Sequence, residues 1–426
     1  MKELPIKRLS FKLRSTGFFH VFGSSAINKV ISFASGIVLV RIISKAEYGV
    51  FSYANNILNF FILISGLGAV PGVLQMCSET KDDLKRSKIY AYGCRVSFLS
   101  DLGLSVLILL VALLIPLKIE GANLCLMAIA FLPGVMLVHE MQGTYLRTEL
   151  RNKEYAVSNT FTTVSVFVLS CVLSWLFSVK GLIAAKYIAF ILAIIFTAWR
   201  FKVYYPIKNQ VHLERDTIKA FWGISGISML NNGLSRLMYL LDIFVLGIVL
   251  PDSTLIASYQ VATNIPTALA FIPAAIVIYI YPYFAKHKED KKWVLKKYTQ
   301  VTIALGFGCF VIAVVMVVFA PWIIRLVFGE AYLDAVPAFR ILSVSFAVSS
   351  PFRTLAGNIL VTQRRLKFNL FVAILSSAFN TVLNVLFIQE AGAVGAAYAT
   401  LITAIISSIL NVWYLIAILK TKKKTC

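Results

Sequence analysis

Apolar residues along the chain gather into twelve runs, near 17–40, 49–73, 89–115, 122–146, 156–178, 181–199, 219–249, 256–281, 298–325, 335–361, 368–388 and 392–419. Stretches such as Val21 to Val40 and Val301 to Ala320 match the roughly 20 residues that a helix needs to cross a bilayer core of about 30 Å. The pattern predicts an all-α polytopic membrane protein with about 12 transmembrane helices. Composition agrees: 59% of residues are hydrophobic and 14% charged, against about 45–50% and 25% in soluble domains. A soluble fold is excluded.

A net charge of +22 in a soluble chain would point to nucleic acid. Here the placement of the charges gives a different answer. Thirty of the 41 Lys and Arg fall in the N-terminal stretch, the C-terminal tail and the connections after spans 2, 4, 6, 8 and 10, including Lys85, Arg86, Arg151, Lys153, Lys202, Lys286 and Lys292. The other side holds Arg41, Lys45, Lys118, Lys180 and Arg325. By the positive-inside rule both termini are expected in the cytoplasm. The basic balance is a topology signal, and no nucleic acid partner is expected.

The two halves of the chain rhyme. At an offset of 208 residues, Tyr53-Ala54-Asn55-Asn56-Ile57 lies over Val261-Ala262-Thr263-Asn264-Ile265, and near an offset of 214 Gly143 to Arg151 lies over Gly357 to Arg365. Their shared order predicts a 6+6 duplication, two similar six-helix lobes around a central cavity. The expected divisions are 1–14 (cytoplasmic segment), 15–200 (N-lobe), 201–218 (cytoplasmic connection), 219–419 (C-lobe) and 420–426 (basic tail).

Ionisable groups at membrane depth are expensive and mark partners or water-filled pathways. In span 7, Ser228, Asn232, Ser235, Arg236, Tyr239 and Asp242 keep within about a 120° arc over roughly 21 Å of helix. Arg236 and Asp242 are six residues apart, a spacing that does not form a local i,i+4 pair. Span 1 carries a shorter stripe of Ser25, Asn28, Lys29, Ser32 and Gly36. At the 208 offset Asn28 overlies Arg236, so two cations, Lys29 and Arg236, are placed to meet an anion such as phosphate. Snorkelling of Lys29, and pairing of Arg236 with Glu140 or Asp101, is the bland alternative. The substrate-binding set is therefore Asn28, Lys29, Asn232, Arg236 and Tyr239, with Asp242 and Glu140 as candidates for ion coupling. Pro71 is expected to end span 2, and Asn380 and Asn384 are explained by interhelical hydrogen bonds.

The six cysteines lack CxxC spacing and read as buried hydrophobes. No GxxxxGK[ST], HExxH or GxSxG motif occurs, so neither an enzyme nor a cofactor is expected.

The segment Leu39-Val40-Arg41-Ile42-Ile43-Ser44-Lys45-Ala46-Glu47-Tyr48-Gly49-Val50-Phe51-Ser52 resembles the short outer loop of polysaccharide transporters in the multidrug/oligosaccharidyl-lipid/polysaccharide exporter superfamily. It is most similar to the Wzx-type flippases. The resemblance implies a two-lobed transporter in a bacterial inner or plasma membrane. Such a protein carries an undecaprenyl diphosphate-linked oligosaccharide from the cytoplasmic to the outer leaflet by alternating access, for O-antigen, capsule or exopolysaccharide synthesis. It also implies membrane lipids, a polysaccharide polymerase and glycosyltransferases as partners, and cations on the first and seventh helices, where Lys29 and Arg236 stand. A cation-coupled multidrug exporter and a membrane scaffold of a polysaccharide assembly complex are the alternatives.

Overall fold

The structure, a computed structural model, describes residues 18–206 and 213–420; within them the side chains of 18–22, 231, 232, 234–236, 238, 239, 278, 282 and 366 lie outside the description. The first half runs through α1 (Phe18–Ile42), α2 (Lys45–Ile62), α3 (Ala69–Glu79), α4 (Asp83–Leu114), α5 (Ala122–Ala128), α6 (Leu132–Thr148) and α7 (Asn152–Phe201). The second runs through α8 (Arg215–Val249), α9 (Ser253–Leu269), α10 (Phe271–Lys286), α11 (Lys291–Val318), α12 (Ala320–Phe328), α13 (Val336–Val348), α14 (Leu355–Thr362) and α15 (Leu366–Lys420).

Nine helical stretches among the described residues are long and apolar enough to cross a membrane. Two of them are about twice the necessary length, because α7 and α15 fold back on themselves. The non-helical residues are Ser178 (φ 52°) in α7 and Gly392 (φ 54°) in α15. Eight residues of straight helix would separate Gly181 from Leu173 by about 12 Å, yet a Cβ on Gly181 would lie 1.8 Å from the Leu173 carbonyl oxygen. Gly395 meets Phe387 in the same way, at 2.0 Å. Each glycine lets two helix limbs close into a hairpin. With both hairpins counted as two crossings and α8 added, the chain makes the expected twelve crossings.

The duplication is visible in the local chemistry of helix ends. Ser44 caps α2, and Asp252, 208 residues later, caps α9; Asp82 caps α4, and Asp290, again 208 later, caps α11. Gly121 and Gly329 share positive φ at that offset. Beyond them the offset becomes 214: Leu150 with Arg364 and Ser178 with Gly392 are the positive-φ pairs. The change falls where the first half spends 27 residues on Ala122–Thr148 and the second spends 33 on Glu330–Thr362. The second stretch opens with a six-residue 3₁₀ segment, Glu330–Ala335.

The chain forms two compact units, the described residues of Met1–Glu47 with Ile57–Gly233, and Tyr48–Asn56 with Leu234–Cys426. In the first, Val73, Cys77, Cys94, Met141 and Phe221 pack a buried core near the basic end. The connection after α7 is pinned there, with the Tyr205 hydroxyl donating to the Cys94 carbonyl (2.6 Å) and Gln142 Nε2 to the Val203 carbonyl (2.9 Å). Burial pushes the Tyr205 phenol well above its ordinary pKa, so it stays a donor at physiological pH. In the second unit Val294, Leu355, Leu360 and Leu415 form the equivalent core.

Span 2 breaks earlier than the proline suggests. The break is the 3₁₀ turn Ser65–Gly68, with positive φ at Gly66, Leu67 and Gly68, and the helix resumes through Pro71 to Glu79. Pro71 sits in the first turn of α3, where its missing N–H leaves no bond unmade. Asp101 on α4 holds the break, accepting the Ser65 hydroxyl (2.7 Å) and the Gly66 N–H (2.6 Å).

Candidate functional site

The second unit gathers buried polar groups around Asp242 on α8, a residue only 7% exposed. Asn384 Nδ2 on α15 donates to Asp242 Oδ1 (2.7 Å). The hydroxyls of Tyr259 on α9 (2.8 Å) and Thr400 on α15 (2.6 Å) donate to Oδ2. Asn384 also donates to Asn380 Oδ1 (3.0 Å). The hairpin at Gly392 explains the convergence: Asn384 and Thr400 each lie eight residues from it, so they share one depth on facing limbs. These donors to Asp242 are all neutral, and among the described side chains no Lys or Arg forms an ion pair with it.

Along the same limbs lie more buried polar atoms without a protein partner: Ser377 Oγ, Asn384 Oδ1, Thr403 Oγ1, Ser408 Oγ and Asn411 Oδ1. Buried polar atoms are normally satisfied, so these atoms have room to take up partners from outside the protein. An ionised carboxylate away from water is stable only with its hydrogen bonds filled and a compensating positive charge, a proton or a metal cation. The arrangement around Asp242 supplies the hydrogen bonds, and among the described side chains it supplies no positive charge.

Of the other expected site residues, Asn28, Lys29 and Glu140 belong to the first unit. Asn28 is 7% exposed, and both of its amide atoms lack partners. Lys29, one step around α1, is exposed together with Ser25. The same exposed surface also carries Ile27 and Val30. Asn232, Arg236 and Tyr239 lie on α8, with their side chains outside the described residues. Glu140 is exposed, beside His139, which is buried against the hydroxyls of Thr162 (2.9 Å) and Ser158 (3.3 Å). Asp101 is committed to the span 2 break. Reading the sequence missed Tyr259 and Thr400, while the interhelical hydrogen bond expected of Asn384 is present, with Asp242 as its partner. The retrievable signal was the symmetric placement of Asn384 and Thr400 about the hairpin glycine.

The segment that carries the family resemblance has a structural role. The Ser44 hydroxyl and Glu47 pair at the start of α2, with Ser44 Oγ donating to Glu47 Oε2 (2.6 Å) and accepting from the Glu47 N–H (3.4 Å), a variant of the capping box. Ser178 Oγ, at the α7 hairpin, also donates to Glu47 Oε2 (2.8 Å). Two positions on, Gly49 admits α9, because a Cβ there would lie 1.7 Å from the Ser253 carbonyl oxygen.

The family described as polysaccharide biosynthesis protein matches residues 38–337, a range that holds this segment and Asp242. The chain belongs to that family. A curated relative, the uncharacterized membrane protein MJ1068 of Methanocaldococcus jannaschii, is 26% identical over 281 residues, 63% of this chain. The chain spans about half, 54%, of that relative's length. Among solved structures, an inward-facing multidrug resistance MATE family transporter of the MOP superfamily superposes with a TM-score of 0.78 at 14% identity, covering 93% of this chain and 96% of that one. The lipid II flippase MurJ, in an inward closed conformation, gives 0.73 at 14% identity over 94% and 87%. These likenesses give the fold, a twelve-helix transporter fold in two lobes. The chain is thus a multi-pass membrane protein.

Proposed function

We propose that the protein is a flippase that moves an undecaprenyl diphosphate-linked oligosaccharide from the cytoplasmic to the outer leaflet, for a surface polysaccharide such as O-antigen, capsule or exopolysaccharide. Membership of the polysaccharide biosynthesis family over residues 38–337 carries this reading. The basic connections then face the cytoplasm of a bacterial cell, with both termini there. The diphosphate is held by Lys29 and Arg236, with Asn28, Asn232 and Tyr239 meeting sugar hydroxyls. A cation at Asp242 supplies the energy, because its arrival changes the charge of a carboxylate that the second unit buries among neutral donors. Glu140 is the second coupling candidate. A polymerase and glycosyltransferases are the expected partners.

The deciding experiment tracks the leaflet of the lipid-linked oligosaccharide in cells with and without the protein. Accumulation on the cytoplasmic leaflet with loss of surface glycan, rescued by the intact chain, supports the reading. Unchanged export in cells lacking any other flippase rejects it, and increased drug susceptibility in those cells points instead to multidrug export.

A further inference from the structure

Because α7 doubles back at Ser178, its first and last turns come together at the basic end of the first unit. A cavity of about 450 Å³ lies there, lined by Arg151, Lys153, Arg200 and Lys202 around an apolar floor of Val157, Phe196 and Phe201. The one carboxylate in the lining, Glu154, is taken up by Arg151, whose guanidinium also donates to the Phe201 carbonyl (2.9 Å). Among the described residues no carboxylate pairs with Lys153, Arg200 or Lys202. We propose that this cavity is a seat for the phosphodiester headgroup of an anionic glycerophospholipid, distinct from the transport site and independent of the transported substrate.

Three features point to a lipid rather than a free anion. The cations line one mouth, which suits a phosphate. The floor is aromatic and apolar, with Phe196 stacked on Phe161 (4.2 Å) and edge-on to Phe201 (5.7 Å). Exposed apolar rows lead away from it, Val157, Val164, Val168 and Val172 on one limb and Leu192, Ile195 and Trp199 on the other. A charged mouth above an apolar trough fits an amphiphile, and Trp199 sits where interfacial aromatics anchor. The fold does not demand the cavity. At the 214 offset the second half has Phe368 in place of Glu154 and Tyr414 in place of Arg200, and these rings stack at 3.8 Å.

The test is native mass spectrometry of the full chain in detergent with added phosphatidylglycerol or phosphatidylcholine. The chain should retain phosphatidylglycerol at least fivefold and up to about a hundredfold better, since each basic group near a membrane surface contributes roughly fivefold and Lys153, Arg200 and Lys202 are without a carboxylate partner among the described residues. The triple variant Lys153→Gln/Arg200→Gln/Lys202→Gln should lose that preference. Val157→Trp, which fills the cavity without changing charge, should lose it too. The variant Lys286→Gln/Lys292→Gln/Lys296→Gln, on another basic connection, should keep it. Equal loss in this control would overturn the proposal in favour of diffuse attraction. Competition by millimolar inorganic phosphate would overturn it in favour of a free-anion site. Tighter retention of undecaprenyl diphosphate than of phosphatidylglycerol would make the cavity a substrate seat and overturn it as well.

Discussion

Replacing Asp242 separates its charge from its hydrogen bonds. Three neutral donors end on its carboxylate, from Asn384, Tyr259 and Thr400. In Asp242→Asn a carbonyl oxygen at the Oδ2 position keeps the Tyr259 and Thr400 bonds. The new NH₂ faces Asn384, whose amide turns to present its partnerless Oδ1, and Asn380 turns in concert to donate. The network is refilled, with each bond weakened from the charged range of about 1.5–3 kcal/mol to the neutral range of about 0.5–1.5. Removing a buried charge returns several kcal/mol, so the melting temperature in detergent should be unchanged or higher. Asp242→Ala has no such remedy. It strands three donors at about 1–3 kcal/mol each, roughly 3–9 kcal/mol that the same relief of the buried charge only partly offsets. The assay pairs thermal melting of the purified variants with ion-gradient-driven flipping of lipid-linked oligosaccharide in proteoliposomes. Asp242→Asn should fold normally and lose the response to the gradient. A stable Asp242→Asn protein that retains the full gradient response would refute the argument, because its charge would then be doing nothing.

The backbone makes further demands that substitutions can test. Gly392 adopts φ 54° and ψ −130°, so Gly392→Ala should lower stability by about 1–3 kcal/mol in thermal melts. Gly181→Ala and Gly395→Ala place a methyl within 2.0 Å of a carbonyl oxygen and should sharply reduce the yield of monodisperse protein in size-exclusion chromatography. Asp101→Ala leaves the buried Gly66 N–H and the Ser65 hydroxyl without their acceptor and should cost about 2–4 kcal/mol, with faster hydrogen exchange confined to Ser65–Gly68. In a cysteine-free background, a cysteine at Lys292 should be labelled by a membrane-impermeant maleimide only in inside-out vesicles, and one at Lys118 only in intact spheroplasts.

The twelve crossings, the repeat and both of its offsets were readable from the chain, because membrane span length and helix-end chemistry are local properties. The break in span 2 was misplaced because Pro71 is a conspicuous breaker, whereas the actual break depends on a distant acceptor, Asp101, thirty-five residues from Gly66. Asp242 was picked out as costly at its depth. Its partners were not, since Tyr259, Asn384 and Thr400 come from three separate crossings and their meeting depends on helix register. Asn28 and Lys29 were read as one stripe, but adjacent residues on a helix point about 100° apart, and the packing of α1 buries one and exposes the other.

The six extra residues of the second half equal the length of the 3₁₀ segment Glu330–Ala335. At about three residues per turn they make two whole revolutions, whereas six residues of α-helix would leave the downstream helices about 240° out of phase. A copy that acquired this insertion could keep those helices aimed as its ancestor aimed them. Grafting or excising the whole segment is thus a length change that a designer can make in phase with the helix that follows it.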